Sequence, residues 1–353
     1  MKIKNKKIGI NYPTYFIAEI GSNFDGKITR AKDLIKLAAE NDADAVKFQH
    51  YTAETLVSER GFKDLKENVK THQSKWEKSV SETYDKASLN KEWTEELSET
   101  AHENELGFIT SPYSLDLVDY VEPYVDAYKI GSGDITFNEI LKKVAKKNMP
   151  TILASGASEM KEVKNAIKIL TKENTDLCLM QCNTNYEGKV ESSKYQNLCV
   201  LNTFKKNFPN ITLGLSCHLP NSLSVLASIV FGSRVIEKHF TDDRERVGPD
   251  HGFAIMPKEW KKMIEDVRLI ESMMGDGKKV VEKNEEMTVI VQQRCIRAKR
   301  KINKGERVKK ELINFLRPCP KNAVKPYNLN LIIGKELIKE VEEGEHITLD
   351  HII

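Results

Sequence analysis

Eight short apolar runs, each ending in ionisable or hydroxyl side chains, constrain the fold of this chain more than any other feature. The first run, YFIAEIGSN, carries Glu19, and the last, RVIEKHF, carries Glu237, Lys238 and His239 near its end. Segments between the runs have apolar residues at helical spacing, as in residues 28–42. Strands that alternate with helices in this way predict parallel pairing through crossover helices.

Closure into a barrel accounts for the polar ends of all eight runs. In a (β/α)₈ TIM barrel the carboxyl ends of the strands meet on one face, where the active site lies. The competing architecture is an open, doubly wound sheet, but no GxGxxG motif follows an early strand. We therefore predict an α/β fold with a TIM barrel over residues 1–280. One long connection, residues 50–90, is typical of a lid or a dimer contact.

The last part of the chain has a different pattern. A barrel needs about 250 residues, so a chain of 353 has room for a second module. A polar segment that begins MGDGKK precedes a region of short β-type runs, prolines and Gly-centred turns. We predict a linker over residues 281–292 and a small β-rich domain over residues 293–353.

Composition excludes several classes of partner. The net charge is +3 and the basic residues are dispersed, so nothing indicates binding to nucleic acid or to an anionic membrane. No apolar run reaches the length of a membrane span, and the basic N-terminus lacks the apolar segment of an export signal. The six cysteines form no CxxC pair and most lie in apolar contexts, as expected of buried thiols in a reducing cytosol. We expect a cytoplasmic protein.

Two histidines at the ends of consecutive strands predict a metal site. His218 and His239 can meet above the barrel mouth. With Glu19, Glu237 or Asp250 nearby, they would hold a divalent cation and leave positions open for water and substrate. The alternative is that each histidine only hydrogen-bonds within the barrel, but their pairing favours the metal. Such a site accepts Mn²⁺, Mg²⁺, Co²⁺ or Zn²⁺, and Mn²⁺ or Mg²⁺ is our first choice.

Two lysines within apolar strands predict an anion site. An unpaired ammonium at Lys47 or Lys129 would cost several kcal/mol, and a single lysine of this kind is usually salt-bridged or on an edge strand. Two lysines that face one mouth beside several hydroxyls instead predict a cradle for a phosphate and a carboxylate. The hydroxyls are those of Thr110, Ser132, Ser155 and Ser216. A Schiff-base role for Lys129 is the alternative.

An ordered set of motifs resembles a known family. The chain contains, in order, AEIGSN, VKFQ, TSPY, YKIGSGD, NTNY, GLSCH, EKHFT and GPDH. At this spacing the set resembles the sialic acid synthase family, and RCIRAKRKINKGE with LRPCP resembles that family's antifreeze-like (SAF) domain. The resemblance implies a metal-dependent condensation of phosphoenolpyruvate with an N-acetylated aldose. It also implies a domain-swapped homodimer in which the small domain of one chain caps the barrel of the other.

The resemblance implies roles for individual residues. Two histidines match the metal ligands: His218 and His239. Basic and hydroxyl residues match the phosphoenolpyruvate contacts: Lys47, Thr110, Lys129, Ser132, Ser155 and Ser216. A third set lies around the sugar and the reacting carbons: Glu19, Gln49, Asp134, Asn183, Tyr186 and Asp250. Its three acidic members, Glu19, Asp134 and Asp250, are the expected catalytic residues. Arg294 matches an arginine of the SAF domain that contacts the N-acetyl group of the sugar.

Three positions depart from the pattern of the family. Cys217 replaces an aspartate that many relatives carry, so the support around the metal is expected to differ. Asp134 is shorter than the usual glutamate, and Thr184 stands where some relatives have asparagine. These differences leave the aldose open. N-acetylmannosamine is our first choice, diacetamido-trideoxy hexoses leading to legionaminate or pseudaminate come next, and a phosphorylated hexosamine stays open.

Other functions fit the sequence less well. A metal-dependent barrel hydrolase usually has an HxH motif on its first strand, which here reads AEIGSN. Kdo-phosphate and heptulosonate synthases share the chemistry but lack the appended domain. A non-catalytic sugar sensor, or a purely structural barrel, would not need two lysines, two histidines and several hydroxyls at one mouth.

Overall fold

The chain forms two compact units, described separately. The structure is a computed structural model that describes residues 1–65, 73, 76, 78–173, 176–186 and 188–353. The first unit is Met1–Gly275 and the second is Asp276–Ile353. The first unit thus ends at Gly275, whereas the sequence placed the end of the barrel at residue 280.

The first unit is a closed barrel of eight parallel strands. A short hairpin, β1 (Lys2–Ile3) and β2 (Lys6–Lys7), precedes the barrel. The barrel strands are β3 (Tyr15–Glu19), β4 (Ala45–His50), β5 (Gly107–Pro112), β6 (Ala127–Ile130), β7 (Thr151–Ala154), β8 (Leu177–Cys182), β9 (Thr212–Cys217) and β10 (Val235–His239). They lie in chain order, and β10 closes the barrel on β3 with Val235 opposite Tyr15. The predicted TIM barrel is confirmed.

Helices connect the strands, and those with a buried apolar stripe in the main core cover the outside of the barrel. The helices of this unit are α1 (Ile28–Glu40), α2 (Ala53–Leu56), α3 (Glu59–Leu65), α4 (Val80–Ala87), α5 (Thr94–Glu103), α6 (Leu115–Val121), α7 (Asn138–Lys146), α8 (Met160–Leu170), α9 (Val200–Asn207), α10 (Leu223–Val230) and α11 (Pro257–Met273). In α7, Ile140, Leu141 and Val144 recur at helical spacing and are buried. Each such apolar stripe packs on the outward side chains of the strands.

Alternation along the strands separates the inside of the barrel from the outside. On β3, Phe16 and Ala18 belong to the core shared with the helices, whereas Tyr15 and Ile17 belong to the interior cluster. Ile3 of the hairpin joins this interior cluster. The apolar packing inside the barrel therefore lies towards the amino ends of the strands, below the polar residues at their carboxyl ends.

The long connection after β4 contains regular structure. Its described part includes α2, α3 and α4, and Ser79 begins α4 with a capping box in which its hydroxyl accepts from the Glu82 amide. Residues 66–72, 74, 75 and 77 lie outside the described residues. The prediction of a lid or dimer contact over residues 50–90 therefore extends beyond what the structure describes.

The second unit is small and β-rich. It contains α12 (Glu286–Gln292), β11 (Cys295–Ala298) and β12 (Ile313–Leu316), and the two strands pair antiparallel. Isolated bridges, such as that between Ile302 and Val341, extend the pairing. Its own core includes Ile296, Val308 and Ile347. The segment predicted as a linker contains α12, which buries none of its residues.

Two expectations from composition can be compared with the structure. Five of the six cysteines are buried and none forms a disulfide: Cys178, Cys182, Cys217, Cys295 and Cys319, with Cys199 exposed. Among the described residues, no helix combines the length and the apolar character needed to cross a bilayer.

The tight interior of the barrel yields a first prediction. A Cβ at Gly214 would lie 2.6 Å from the Val235 carbonyl oxygen and 3.0 Å from Met180 Cγ. Gly214→Ala should therefore lower the free energy of unfolding by about 1–3 kcal/mol through overpacking. Gly133→Ala, where a Cβ meets nothing within 4 Å, is the matched control. Urea unfolding followed by tryptophan fluorescence measures both, and equal stability of the two variants would contradict the packing.

Candidate active site

A pocket of about 350 Å³ opens at the carboxyl ends of the barrel strands. The sequence-predicted residues that line it are Glu19, Lys47, Gln49, Lys129, Ser132, Tyr186, Ser216, His218, His239 and Asp250. They come from five strands and from the loops that follow strands. The barrel thus brings together residues that are more than two hundred positions apart in the sequence.

Four buried side chains of alternating charge form the floor of the pocket. Lys47 Nζ lies 2.6 Å from Glu19 Oε2 and 3.9 Å from Glu237 Oε1. Lys129 Nζ lies 2.5 Å from Glu237 Oε2. At the far end, Gln49 Nε2 donates to Glu19 Oε1 at 2.6 Å. We call Glu19, Lys47, Glu237 and Lys129 the ionic row.

The ionic row shifts the pKa values of its members. Burial alone would raise the pKa of Glu237, but Lys129 and Lys47 outweigh it and lower that pKa to about 2. Burial would likewise lower the pKa of Lys47, yet Glu19 and Glu237 raise it. The sequence predicted a cradle of lysines and hydroxyls without these counter-ions. Glu237 was considered only as a metal neighbour, and its pairing with both lysines was missed.

Hydroxyl groups adjoin the ionic row. Ser216 Oγ donates to Glu237 Oε1 at 3.2 Å, and Ser132 Oγ accepts from the Gly156 amide at 3.1 Å. Ser111 lines the pocket, and its buried hydroxyl has no hydrogen-bond partner among the described residues. Ser111 is therefore a candidate anion donor that sequence reasoning missed.

Thr110 and Ser155 do not face the pocket. Thr110 Oγ1 donates to the Phe48 carbonyl oxygen at 3.0 Å and lies 2.6 Å from His50 Nδ1, outside the barrel wall. Ser155 Oγ donates to the Met180 carbonyl oxygen at 2.8 Å. Because strand side chains alternate, the neighbours Ser111 and Ala154 line the pocket instead. Counting positions from the inward Ile109 would have given the correct parity.

The two predicted metal ligands lie side by side. The ring centroids of His218 and His239 are 5.5 Å apart. His218 Nδ1 lies 3.2 Å from the Asn183 carbonyl oxygen, and His239 Nδ1 lies 3.8 Å from Asp250 Oδ2. A metal-binding histidine commonly directs one ring nitrogen at such an acceptor and binds through the other. Asn183 therefore meets the site through its backbone, while its side chain is not among the lining groups.

The histidine pair has the protonation state that metal binding requires. Burial lowers the pKa of His218 to about 4 and lowers that of His239 as well, so both rings are neutral at pH 7. His239 Nδ1 is buried with no hydrogen-bond partner in the described part of the chain. No trio of His, Cys, Asp or Glu side chains converges among the described residues. The pair fits a cation that keeps water or substrate in its other positions.

The carboxylate of Asp250 lies close to Gly21, in the turn after β3. Its Oδ2 accepts from the Ser22 amide at 3.1 Å and from Ser22 Oγ at 2.9 Å. Gly21 has φ +53°, and a Cβ there would lie 2.7 Å from Asp250 Oδ2 and 3.2 Å from Glu19 Oε1. The turn after β3 needs glycine for this conformation and to admit both carboxylates.

Asp134 and Arg294 are not among the residues that line the pocket. Asp134 follows Gly133, which lines it, and burial raises the pKa of its carboxyl to about 6. Arg294 lies in the second unit, where it is exposed and its Nη1 donates to the Phe315 carbonyl oxygen at 2.8 Å. The predicted contact of Arg294 with a sugar stays a prediction.

An aromatic and aliphatic wall lines the mouth of the pocket. Tyr84 contacts Tyr51 and Trp76 edge to face, with ring centroids 5.6 and 5.8 Å apart. Leu56 and Phe62, from the helices after β4, extend this apolar surface. The sequence predicted a lid or a dimer contact for this connection but did not place its residues in the site.

The departure at Cys217 affects the outside of the barrel. Cys217 Sγ lies 3.1 Å from Ser224 Oγ on α10 and 3.8 Å from Lys238 Nζ. Lys238 is fully buried and donates to the Leu219 carbonyl oxygen, and burial lowers its pKa. The Cys217 thiol therefore adjoins Ser224 and a buried lysine on the outer side of the strand.

The fold and the site together define a barrel enzyme with an ion-paired floor and a neutral histidine pair. The NeuB family model matches residues 34–279, and the SAF domain model matches residues 293–353. The chain belongs to the NeuB family, which confirms the resemblance to sialic acid synthases.

Several relatives match most of the chain. An uncharacterized protein of Methanocaldococcus jannaschii is 34% identical over 100% of this chain and 98% of its own. The N,N'-diacetyllegionaminic acid synthase of Campylobacter jejuni is 32% identical over 95% of this chain and 98% of its own. The crystal structure of the N-acetylneuraminic acid (sialic acid) synthetase of Leptospira borgpetersenii, in complex with citrate, is 26% identical. It has a TM-score of 0.72 and covers 82% of this chain and 94% of its own.

Neutral His218 gives a prediction for pH. Its pKa falls from 6.5 in the unfolded chain to about 4 in the folded one, so below pH 6.5 the unfolded state binds the extra proton. The lowered pKa of His218 therefore does not affect stability above pH 6.5. At pH 5 it lowers the free energy of unfolding by about 2 kcal/mol. Urea unfolding in chelator at pH 7 and pH 5 should show that His218→Asn removes this loss. Burial also lowers the pKa of His50 to about 4, so His50 causes its own loss of stability at pH 5. That loss is the same in the wild type and in the variant. An identical pH dependence in wild type and variant would contradict the assignment.

Proposed function

We propose that this protein condenses phosphoenolpyruvate with an N-acetylated aldose to give a nonulosonic acid and phosphate. The observation that carries the proposal is one pocket that holds two lysines and a neutral histidine pair. The names of the relatives, legionaminic and sialic acid synthases, support the same reaction. A sugar sensor would need the pocket but not this combination of groups.

The proposed reaction forms one carbon–carbon bond and breaks one carbon–oxygen bond. Carbon 3 of phosphoenolpyruvate attacks the aldehyde carbon of the open-chain sugar. Water then adds at carbon 2 of the resulting oxocarbenium ion, and phosphate leaves with the bridging oxygen. The aldehyde oxygen gains a proton. Asp134 is one candidate donor: it does not line the pocket, but it follows Gly133, which does, and burial raises the pKa of its carboxyl to about 6. Glu19 is the second candidate for proton transfer.

The floor of the pocket binds and orients phosphoenolpyruvate. Lys47 and Lys129 provide the positive charge for its phosphate and carboxylate, whose charge changes little during the reaction. Ser111 adds a hydroxyl donor, and Ser216, whose hydroxyl donates to Glu237 in the structure, can add a second by turning from Glu237 to the anion. The lysines therefore act by placing the enol carbon and not by chemistry of their own.

His218 and His239 would hold the divalent cation, with Mn²⁺ or Mg²⁺ as our first choice. A cation there supplies Lewis acidity to the oxygen of the aldehyde. The Asn183 carbonyl, 3.2 Å from His218 Nδ1, orients that ring, whereas Asp250, 3.8 Å from His239 Nδ1, lies beyond hydrogen-bond distance and acts on that ring through its charge. These residues thereby set where the aldehyde end of the sugar can lie.

The remaining pocket receives the sugar. Tyr186 lies against the His218 ring, with centroids 4.6 Å apart, and Gln49 and Asp250 offer hydrogen-bonding groups. N-acetylmannosamine is our first candidate. A diacetamido-trideoxy hexose is the alternative, supported by the legionaminic acid synthase relative and by the apolar wall around Tyr84.

Turnover is the first test of the proposed function. Phosphate should be released from phosphoenolpyruvate only when a suitable aldose is present. With ¹⁸O in the enol bridge, the label should appear in the phosphate, because the carbon–oxygen bond breaks. Mass spectrometry of both products measures this with N-acetylmannosamine, with a phosphorylated N-acetylhexosamine and with the diacetamido-trideoxy hexoses. Label retained in the sugar acid would refute the mechanism, and no turnover with any of these aldoses would refute the proposed function.

Metal dependence is the second test. Chelation should abolish turnover, and added Mn²⁺ or Mg²⁺ should restore it. His218→Asn and His239→Asn should weaken Mn²⁺ binding by at least about tenfold, measured directly by calorimetry. His102→Asn, an exposed position outside the pocket, is the control. Full activity of a thoroughly demetallated sample would contradict the metal site.

Arg294 provides a test of the proposed domain-swapped homodimer. The variants Arg294→Ala and Lys129→Ala should each be inactive as separate preparations. After subunit exchange, a mixed dimer would contain one site with both residues intact if Arg294 serves the partner's barrel, so partial activity should return. If Arg294 serves its own barrel, both sites stay defective and the mixture stays inactive, which would refute the swapped arrangement.

A further inference from the structure

His251, the last residue of the GPDH motif, has no place in the proposed reaction. It follows Asp250 directly but does not line the pocket, and its side chain is fully buried. Its Nε2 lies 2.8 Å from Asp25 Oδ1, and its Nδ1 lies 2.8 Å from Thr241 Oγ1. With both ring nitrogens engaged and no exposed surface, His251 is not available as a proton carrier or ligand.

Asp25 is the centre of a cluster of basic groups. Besides His251, it accepts from Arg246, whose Nε and Nη2 lie 2.8 and 2.7 Å from Oδ2. Arg30 Nε lies 3.1 Å from the same oxygen. Burial would raise the pKa of Asp25, but the bonds from His251 and Arg246 outweigh it and lower the pKa. The cluster ties the loop after β3 to the loop after β10.

The same two loops meet a second time inside the pocket. Ser22, three residues before Asp25, donates its amide and hydroxyl to Asp250 Oδ2. A Cβ at Gly248 would lie 2.7 Å from the His251 ring, so the loop closes tightly on this side chain. The consecutive residues Asp250 and His251 of the loop after β10 thus contact Ser22 and Asp25, three residues apart in the loop after β3.

We infer that His251 is a positioning residue: clamped between Asp25 and Thr241, it holds the Asp250 carboxylate against Ser22 and beside His239. Asp250 needs such a restraint because it approaches another carboxylate. Asp250 Oδ2 and Glu19 Oε1 both lie within 3.2 Å of the point that a Cβ on Gly21 would occupy. Like charges held close to one position repel, and a loop without the clamp would relieve the repulsion by moving Asp250 outward.

Amide hydrogen exchange tests the clamp without any substrate or metal. His251→Phe keeps a ring of similar shape but removes both hydrogen bonds, and Asp25→Asn removes the charge at the other end. Each should speed exchange of the Ser22 amide by about tenfold or more, since its acceptor is no longer held. Arg244→Gln is the matched control: it lies on the same loop, but its partners are Glu259 and the Ala254 carbonyl.

Kinetics form the second arm, which rests on the proposed function. In both variants the KM of the aldose should rise by about tenfold while that of phosphoenolpyruvate stays within about twofold, because the ionic row is untouched. A merely structural role would lower Tm and leave both values unchanged in the folded fraction. The KM of the aldose in the double variant should be no higher than in either single variant, since both substitutions remove the same contact between His251 and Asp25.

The two arms fail separately. Unchanged Ser22 exchange in His251→Phe would overturn the inference, whatever the kinetics. If that variant does not fold, Asp25→Asn decides by the same measurement. If the wild type shows no turnover, the proposed function fails, and Ser22 exchange still decides whether His251 positions Asp250. Faster exchange in Arg244→Gln as well would overturn the inference, because general loosening of the loop would then suffice.

Discussion

The ionic row of Glu19, Lys47, Glu237 and Lys129 is the interaction on which the rest of the site depends. These side chains are almost completely buried, so an unbalanced member would leave an uncompensated charge that costs about 3–5 kcal/mol. The row also requires a closed barrel. Glu237 lies on β10 and Glu19 on β3. Only the pairing of these two strands, which closes the barrel, brings both carboxylates within reach of Lys47. The site can therefore assemble only when the barrel closes.

The balance of charge in the floor determines what the pocket can bind. Two carboxylates already neutralise the two lysines, so a multiply charged anion such as phosphoenolpyruvate needs additional positive charge or hydroxyl donors. In the proposed function, a divalent cation held by the adjacent His218 and His239 would supply the first, and the hydroxyls of Ser111 and Ser216 would supply the second. The neutral state of the histidines follows from burial, so the proposed binding of a cation and of an anion would both depend on the same sheltered mouth.

Local sequence patterns were sufficient for the architecture but not for all of the site. Alternation of apolar and polar residues predicted the strands, and their polar ends predicted which face carries the site, because both are properties of single strands. Whether Thr110 faces the inside or the outside of the barrel depends on which alternate residues of its strand point inward. A short motif does not show this. The pairing of Glu237 with Lys129 joins strands far apart in the chain. The clamp at His251 depends on two loops that meet only after closure.

A double-mutant cycle on Lys129 and Glu237 tests the central claim most directly. Lys129→Met and Glu237→Gln each unbalance the row, whereas the double variant leaves Glu19 and Lys47 as a matched pair. Urea unfolding followed by the three tryptophans, all in the barrel unit, measures the free energy of unfolding. The account predicts that each single variant loses about 3–5 kcal/mol and that the double variant loses less than their sum by about 2 kcal/mol or more. Losses that simply add would contradict it.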